Sequence, residues 1–416
     1  MLEDGRTEGP GPTIEVVMKV WLLFAWSIGP LLTAGCGGDD VQAPPVDEGE
    51  PVSAGCQTAA LPETGAPYQV CFPADWSGDL VVYAHGYVAA DAPLAIPDDR
   101  VDGEPVSRIV TALGYAYATT SYRANGLVAD VAVDDVADLA AEVRRRFRPD
   151  PVRTFVVGVS EGGLVAALAA ERHADLFAGA VAACGPIGDF AAQLDYFGDF
   201  RVVFDYFFPG VIPGGPVDVP DAVRAQWGST YVPAVAAALQ ADIPAATQLL
   251  AVTHAPIDPA NPFTTAGATV LGLLWYDVFA LPDARARLGG QPYDNIGRVY
   301  QGSADDAALN AGVARVAADA EARVALGRFE TSGQLTVPLA TIHTDGDPIV
   351  PADQSARYAE KAATVGSGDL VEPRLVARYG HCAFQRGELL EAFAAMAARA
   401  VAAPATAAQA IAARTF

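Results

Sequence analysis

The chain is poor in positive charge. Lysine and arginine together number 26 against 50 aspartates and glutamates, a formal net charge of −24 over 416 residues. No basic cluster offsets this, which excludes an electrostatic grip on nucleic acid or on an anionic membrane surface. The acidity itself reads as a solubility feature rather than a binding function. Several chemical patterns are also absent. There is no His-Glu-x-x-His, no Cys-x-x-Cys, no phosphate loop ending in Gly-Lys-Ser/Thr, and no Gly-x-Gly-x-x-Gly after a strand. No metal and no cofactor is therefore expected. Histidines are scarce, five in all, so any imidazole chemistry has few candidates. What is plentiful is apolar: 51% of residues are hydrophobic, enough for one large core, and the middle of the chain has no low-complexity block.

Residues 18–35 read MKVWLLFAWSIGPLLTAG, a lysine followed by an apolar run and then small residues. That is the layout of a bacterial secretory signal, with translation expected to begin at Met18. The run is short for a membrane span and is broken by Gly29 and Pro30. Ala34 and Gly35 lead into Cys36, which resembles the lipobox of bacterial lipoproteins. The resemblance implies lipidation of Cys36 and membrane attachment through that anchor alone. Thr33 departs from it, standing where that family has leucine, and ordinary secretion or a retained anchor are the other readings. Residues 1–36 are thus the expected leader. Residues 37–53, rich in Gly, Pro, Asp and Glu, are an expected tether.

Export places the remaining cysteines in an oxidising compartment. Cys56 and Cys71 flank two strand-like runs around a Pro/Gly turn, and a hairpin brings them within bridging range. Cys184 and Cys382 then pair by elimination. Two free buried thiols would pack equally well there.

From residue 79 to 184 apolar strands alternate with helical segments. The strands are DLVVYA, YAYATTSY, RTFVVGV and AGAVAAC. The helix over 131–147 has acids in its first turn and arginines in its last, matching the helix dipole. Each crossover suits a parallel βαβ unit, so the pattern predicts an open, mostly parallel sheet with helices on both faces. The alternation stops near 187 and resumes at TVPLATIHTDGD (336–347), followed by the strand PRLVARY and a helix over 387–401. The expected domain plan is a core of 54–187 and 334–402, a mainly helical cap over 188–333, and a tail over 403–416. Within the cap the runs 232–240 and 307–327 read as helices, and two aromatic clusters stand out, DYFGDFRVVFDYFFPG and LLWYDVFAL. Such an insertion would lie over the carboxyl ends of the strands, where open α/β sheets bind ligands.

Gly158-Val159-Ser160-Glu161-Gly162 lies between a strand and a helix. A serine in that tight turn needs small residues two before and two after it, and the turn aims the hydroxyl at the cleft. On its own the motif is also compatible with a structural or phosphate-binding turn. With this context the chain resembles the α/β-hydrolase superfamily over 79–184 and 335–400. The resemblance implies a nucleophilic Ser160. It also implies an oxyanion hole from the backbone N–H groups of Tyr87, after His85-Gly86, and of Glu161. The acid follows a late strand, at Asp347 before Pro348, with Asp345 the other candidate. The base comes last, and His381 is the one histidine after the acid. His85 reads as a structural hydrogen-bonder, His173 as a surface residue and His343 as a core residue. His254 could line the cleft.

The activity so implied is an exported serine hydrolase that cleaves a carboxylic ester, small or polymeric, through an acyl-enzyme. The aromatic clusters suggest an apolar acyl pocket, although core packing of the cap accounts for each aromatic singly. A secreted peptidase of the prolyl or tripeptidyl aminopeptidase type is the alternative, and a surface lipoprotein that binds without catalysis is the further one.

Overall fold

The structure, a computed structural model, describes residues 49–402. The leader, Cys36, the first part of the tether and the tail over 403–416 lie outside the described residues.

Two strands flank the Pro/Gly turn, Gly55–Ala60 (β1) and Pro67–Phe72 (β2). They pair antiparallel with Cys56 opposite Cys71, and the two are disulfide-bonded. The continuous apolar runs form the buried strands Asp79–Ala84 (β3), Ala116–Thr120 (β4), Arg153–Val159 (β5), Gly179–Ala183 (β6) and Leu339–Gly346 (β7). Val371–Tyr379 (β8) closes one edge and alternates between less and more exposed residues, as an edge strand does. The sheet order is β8-β7-β6-β5-β3-β4-β2-β1. From β8 to β4 every pair is parallel, and β2 runs antiparallel to β4 and to β1.

The two-residue period of these strands sorts their side chains onto two faces. Val82, Val156 and Ala182 join the main core cluster, whereas Phe155, Val181 and Ala183 belong to the cluster on the other face. Helices Ala129–Arg146 (α2) and Glu161–Arg172 (α3) cover the first face through residues such as Val136, Leu139, Leu164 and Leu168. The short helix Val106–Ala112 (α1) lies on the second face, which is also covered by the last helix, Arg386–Ala402, through Ala392 and Met396. Each large apolar side chain so buried contributes about 1.5–3 kcal/mol relative to exposure. This order of strands and helices is the α/β-hydrolase fold.

Between β6 and β7 the chain forms helices Phe190–Phe207 (α4), Asp221–Ala225 (α5), Val232–Ala241 (α6), Ile243–Thr253 (α7), Pro262–Leu288 (α8), Asp306–Gly312 (α9) and Ala320–Ala325 (α10). Helix Asp353–Thr364 (α11) joins β7 to β8, and the last helix is α12. The aromatics of α4, among them Phe197, Phe200 and Phe204, share the main core cluster with the sheet. One fully buried ion pair, Arg201 Nη1 to Asp277 Oδ2 at 2.8 Å, ties α4 to α8.

Two expectations change. The run 307–327 is two helices rather than one. Asn295 takes its middle away from helical bonding: its side chain accepts from Val316 N at 2.7 Å and donates to Ala314 O at 2.9 Å. The expected tether over 37–53 is also not free throughout its described part, because Glu50–Pro51 pairs with Phe147–Arg148 and Arg146 bridges Glu50 at 3.0 Å.

Candidate active site

The turn after β5 sets Ser160 at φ 55°, ψ −125°, a left-handed region that L-residues avoid. Its neighbours permit this because they lack Cβ atoms. A Cβ on Gly158 would overlap the Gly162 carbonyl, and one on Gly162 would overlap the carbonyl of Ala84. The turn is further fixed by Ser160 N, which donates to Ala183 O at 2.9 Å. Gly86, between His85 and Tyr87, approaches so closely that an added Cβ would lie 3.2 Å from Ser160 Cβ.

His381 reaches the same point from the loop after β8. Its Nε2 lies 2.8 Å from Ser160 Oγ, and its Nδ1 lies 2.7 Å from Asp347 Oδ2. Asp347 sits in the loop after β7 and is 2% exposed, so it is a carboxylate held out of water. Burial alone would raise its pKa. The neighbouring His381 and His343 outweigh that and hold the carboxyl well below the usual carboxylate range. Its other oxygen accepts from Ile349 N at 2.9 Å and Val350 N at 3.0 Å. Of the two candidate acids, only Asp347 meets the imidazole. Asp345 is exposed and accepts from Arg378 N at 2.9 Å, pinning the bulge between β7 and β8.

The two expected N–H donors adjoin the serine turn in the chain: Glu161 follows Ser160, and Tyr87 follows Gly86, which packs on Ser160. The Glu161 side chain turns away: Oε1 accepts from Val128 N at 2.6 Å and Ala129 N at 3.1 Å, at the start of α2. Burial pushes its carboxyl up to about 8 against those hydrogen bonds.

Among the described residues, no hydrogen bond joins the other histidines to Ser160. His85 is buried and stacks on Tyr122, its pKa lowered by burial. His173 ends α3 at 3.7 Å from Asp134. His254 ends α7 and is exposed, so it does not line a closed cleft. His343 is buried as expected but is more than core. Its Nε2 bonds Val350 O at 2.9 Å and lies 3.4 Å from Asp347 Oδ2, and its Nδ1 lies 3.2 Å from Ser355 Oγ. A second imidazole thus lies against the acid, an arrangement the sequence hinted at only through the four-residue spacing of His343 and Asp347.

The cap completes the site. Tyr276 of α8 is half-buried and lies beside the Ser160 side chain. Its ring stacks on Phe197 at 4.9 Å and meets Trp275 edge-on at 5.0 Å, and Tyr87 packs against both Trp275 and Tyr276. From α4, Gln193 Nε2 donates to Ile349 O at 2.9 Å. The Tyr379 hydroxyl, just before the histidine loop, lies 2.9 Å from Thr269 Oγ1 of α8. On the other side of His381, Cys382 is bridged to Cys184. The arrangement puts an imidazole nitrogen within proton-transfer reach of the Ser160 hydroxyl.

The model of the prolyl oligopeptidase family matches residues 107–196, the segment from α1 through the serine turn into α4. No curated protein matches the chain. Among solved structures, the acylaminoacyl peptidase of Pyrococcus horikoshii is similar at 12% identity and TM-score 0.39, over 78% of this chain and 37% of that one. An esterase of Pyrococcus furiosus is similar at 13% identity and TM-score 0.43, over 84% of this chain and 91% of that one. The proline iminopeptidase of Mycobacterium smegmatis is similar at 13% identity and TM-score 0.43, over 84% and 100%. This chain spans little more than a third of the length of the first of them.

Proposed function

We propose that this chain is an exported serine hydrolase that cleaves carboxylic esters through an acyl-enzyme. The observation that carries the reading is the unbroken relay Ser160 Oγ, His381 Nε2, His381 Nδ1, Asp347 Oδ2, with links of 2.8 and 2.7 Å. With Nδ1–H donated to Asp347, the lone pair of Nε2 faces the serine. His381 then takes the Ser160 proton as Oγ attacks the carbonyl carbon, and Asp347 stabilises the imidazolium that results. The tetrahedral oxyanion is received by the N–H groups of Tyr87 and Glu161, each donor contributing about 3–4 kcal/mol in such sites. The imidazolium protonates the leaving alcohol, and water, deprotonated by the same nitrogen, releases the acid.

The aromatic wall of Tyr87, Phe197, Trp275 and Tyr276 beside the serine supports an ester with an apolar acyl group. The match of the prolyl oligopeptidase model over 107–196 favours a second reading, hydrolysis of a peptide bond on the same serine. Export rests on residues 18–36 alone, and the mass of the mature N-terminus, with or without lipid on Cys36, tests it.

The first experiment is labelling with a fluorophosphonate probe, with turnover of p-nitrophenyl acyl esters measured beside aminoacyl anilides. Wild-type protein should label and hydrolyse the esters, and Ser160→Ala should do neither. Labelling that survives Ser160→Ala, or none in wild type, overturns the hydrolase reading. Anilides turned over faster than esters move the assignment to the peptidase.

A further inference from the structure

The bridge between Cys184 and Cys382 does more than tie the histidine loop to β6. The sulfurs of both residues and a ring nitrogen of His381 all lie within 4.8 Å of one another. Cys382 Sγ is 3.5 Å from His381 Nε2. Two thiolates and an imidazole around a zinc-sized ion, at metal–sulfur and metal–nitrogen distances of about 2.3 and 2.0 Å, stand about 3.5–3.8 Å apart. The Cys382 sulfur already stands at that distance from the imidazole nitrogen, and the Cys184 sulfur is within 4.8 Å, so the site forms once the sulfur–sulfur bond opens. The imidazole is also prepared in the way metal-bound histidines are, since its far nitrogen is fixed by Asp347 Oδ2 at 2.7 Å. Ser160 Oγ, 2.8 Å from Nε2, is within reach of a fourth position.

We infer that Cys184, Cys382 and His381 form a masked site for a thiophilic divalent cation such as Zn²⁺ or Cd²⁺, opened by reduction of the bridge and occupied at the expense of the proton relay. The bridged sulfurs carry no thiolate and do not ligate. Reduction breaks the S–S bond, placing two electrons and two protons on the cysteines. The reductant is either a dithiol, oxidised to its own disulfide, or a phosphine, oxidised with water to its oxide. The cation then displaces the two thiol protons and takes the lone pair of Nε2. Ser160 loses its proton acceptor, so the occupied site is silent in ester hydrolysis. Binding of the cation stands whether or not Ser160 is a nucleophile, and only the loss of activity rests on the hydrolase reading.

The test uses the full chain, reduced with a phosphine and titrated with Cd²⁺. Two readouts run together: sulfur-to-metal charge-transfer absorption with its stoichiometry, and ester turnover with fluorophosphonate labelling. Cys56→Ser/Cys71→Ser and Cys184→Ser/Cys382→Ser are compared, with Cys36 common to both. The oxidised chain should show no charge-transfer band at this site. The reduced Cys56→Ser/Cys71→Ser chain should take up one ion there and lose activity by at least about tenfold relative to the same reduced chain in chelator, with recovery when chelator is added back. The reduced Cys184→Ser/Cys382→Ser chain should lose that uptake. Equal uptake by the two variants overturns the site. Uptake that leaves serine reactivity unchanged removes His381 from the ligand set and overturns it as well. A wild-type chain inert to ester and probe throughout counts against the hydrolase reading, and the absorption band still judges the site.

Discussion

The hydroxyl of Tyr196, on the first cap helix, donates to the carbonyl of Pro348 at 3.1 Å, one residue after Asp347. The loop that carries the acid is therefore held from above by the cap as well as from below by the sheet. A half-buried neutral hydrogen bond of this kind is worth about 1 kcal/mol net. Tyr196→Phe should lower kcat by about fivefold with KM nearly unchanged, because the group moves the acid and not the substrate. Steady-state kinetics on a p-nitrophenyl ester decides, and an unchanged kcat means the loop holds its shape without the cap.

Asp345 and Asp347 lie two residues apart but do different work in this fold. Asp347→Asn should reduce kcat by about 10³–10⁴, since an amide cannot stabilise the imidazolium and can favour the wrong tautomer. Asp345→Asn should leave kcat within about twofold and act on stability alone, through the bond to Arg378 N. Comparable losses in the two variants would show that the geometry misassigns the acid.

Tyr276 lies beside Ser160 from the cap. Tyr276→Phe keeps the ring stacked on Phe197 and removes only the hydroxyl. If that hydroxyl holds Ser160 toward His381, kcat should fall by about five- to tenfold while thermal unfolding is unchanged. A faster variant would instead identify the contact as a block that substrate must displace.

Glu161 makes the fold pH-sensitive. Its ordinary value of 4.5 rises to about 8 in the folded chain. Below 4.5 the folded and unfolded chains both hold the proton. Between 4.5 and 8 the unfolded chain has lost it and the folded chain keeps it, so stability falls as pH rises through that window. Above 8 the slope vanishes. Glu161→Gln still offers an oxygen to Val128 N and Ala129 N but does not ionise. Denaturant unfolding at about pH 5 and about pH 8 should show the variant gaining on wild type at the higher pH. A stability difference that is the same at both values would contradict the burial argument.

Much of the fold was legible because its signals are local. Continuous apolar runs such as LVVYA and FVVGV, bounded by turn residues, read as strands buried on both faces, and Cys56 and Cys71 are close in the chain with a turn between them. The two glycines of the serine turn are demanded by clashes within a few residues and with the adjoining strand. The run 307–327 was misread for the opposite reason. Its helical pattern is real, but Asn295, a dozen and more residues away, competes for the backbone of Ala314 and Val316. His343 likewise reads as an apolar-strand residue, and its approach to Asp347 arises from how the loop after β7 folds back.

By itself the sequence determined the alternation of strands and helices, the strained position of Ser160, and the order serine, acid, histidine along the chain. These follow from side-chain periodicity and from sterics that reach only a few residues. The tertiary structure decided which of Asp345 and Asp347 meets His381, that Cys184 and Cys382 join, and that Tyr196 and Tyr276 reach down from the cap to the acid loop and the serine. Each of those depends on where segments separated by tens to hundreds of residues come to rest, a matter of packing and loop path that no local pattern encodes.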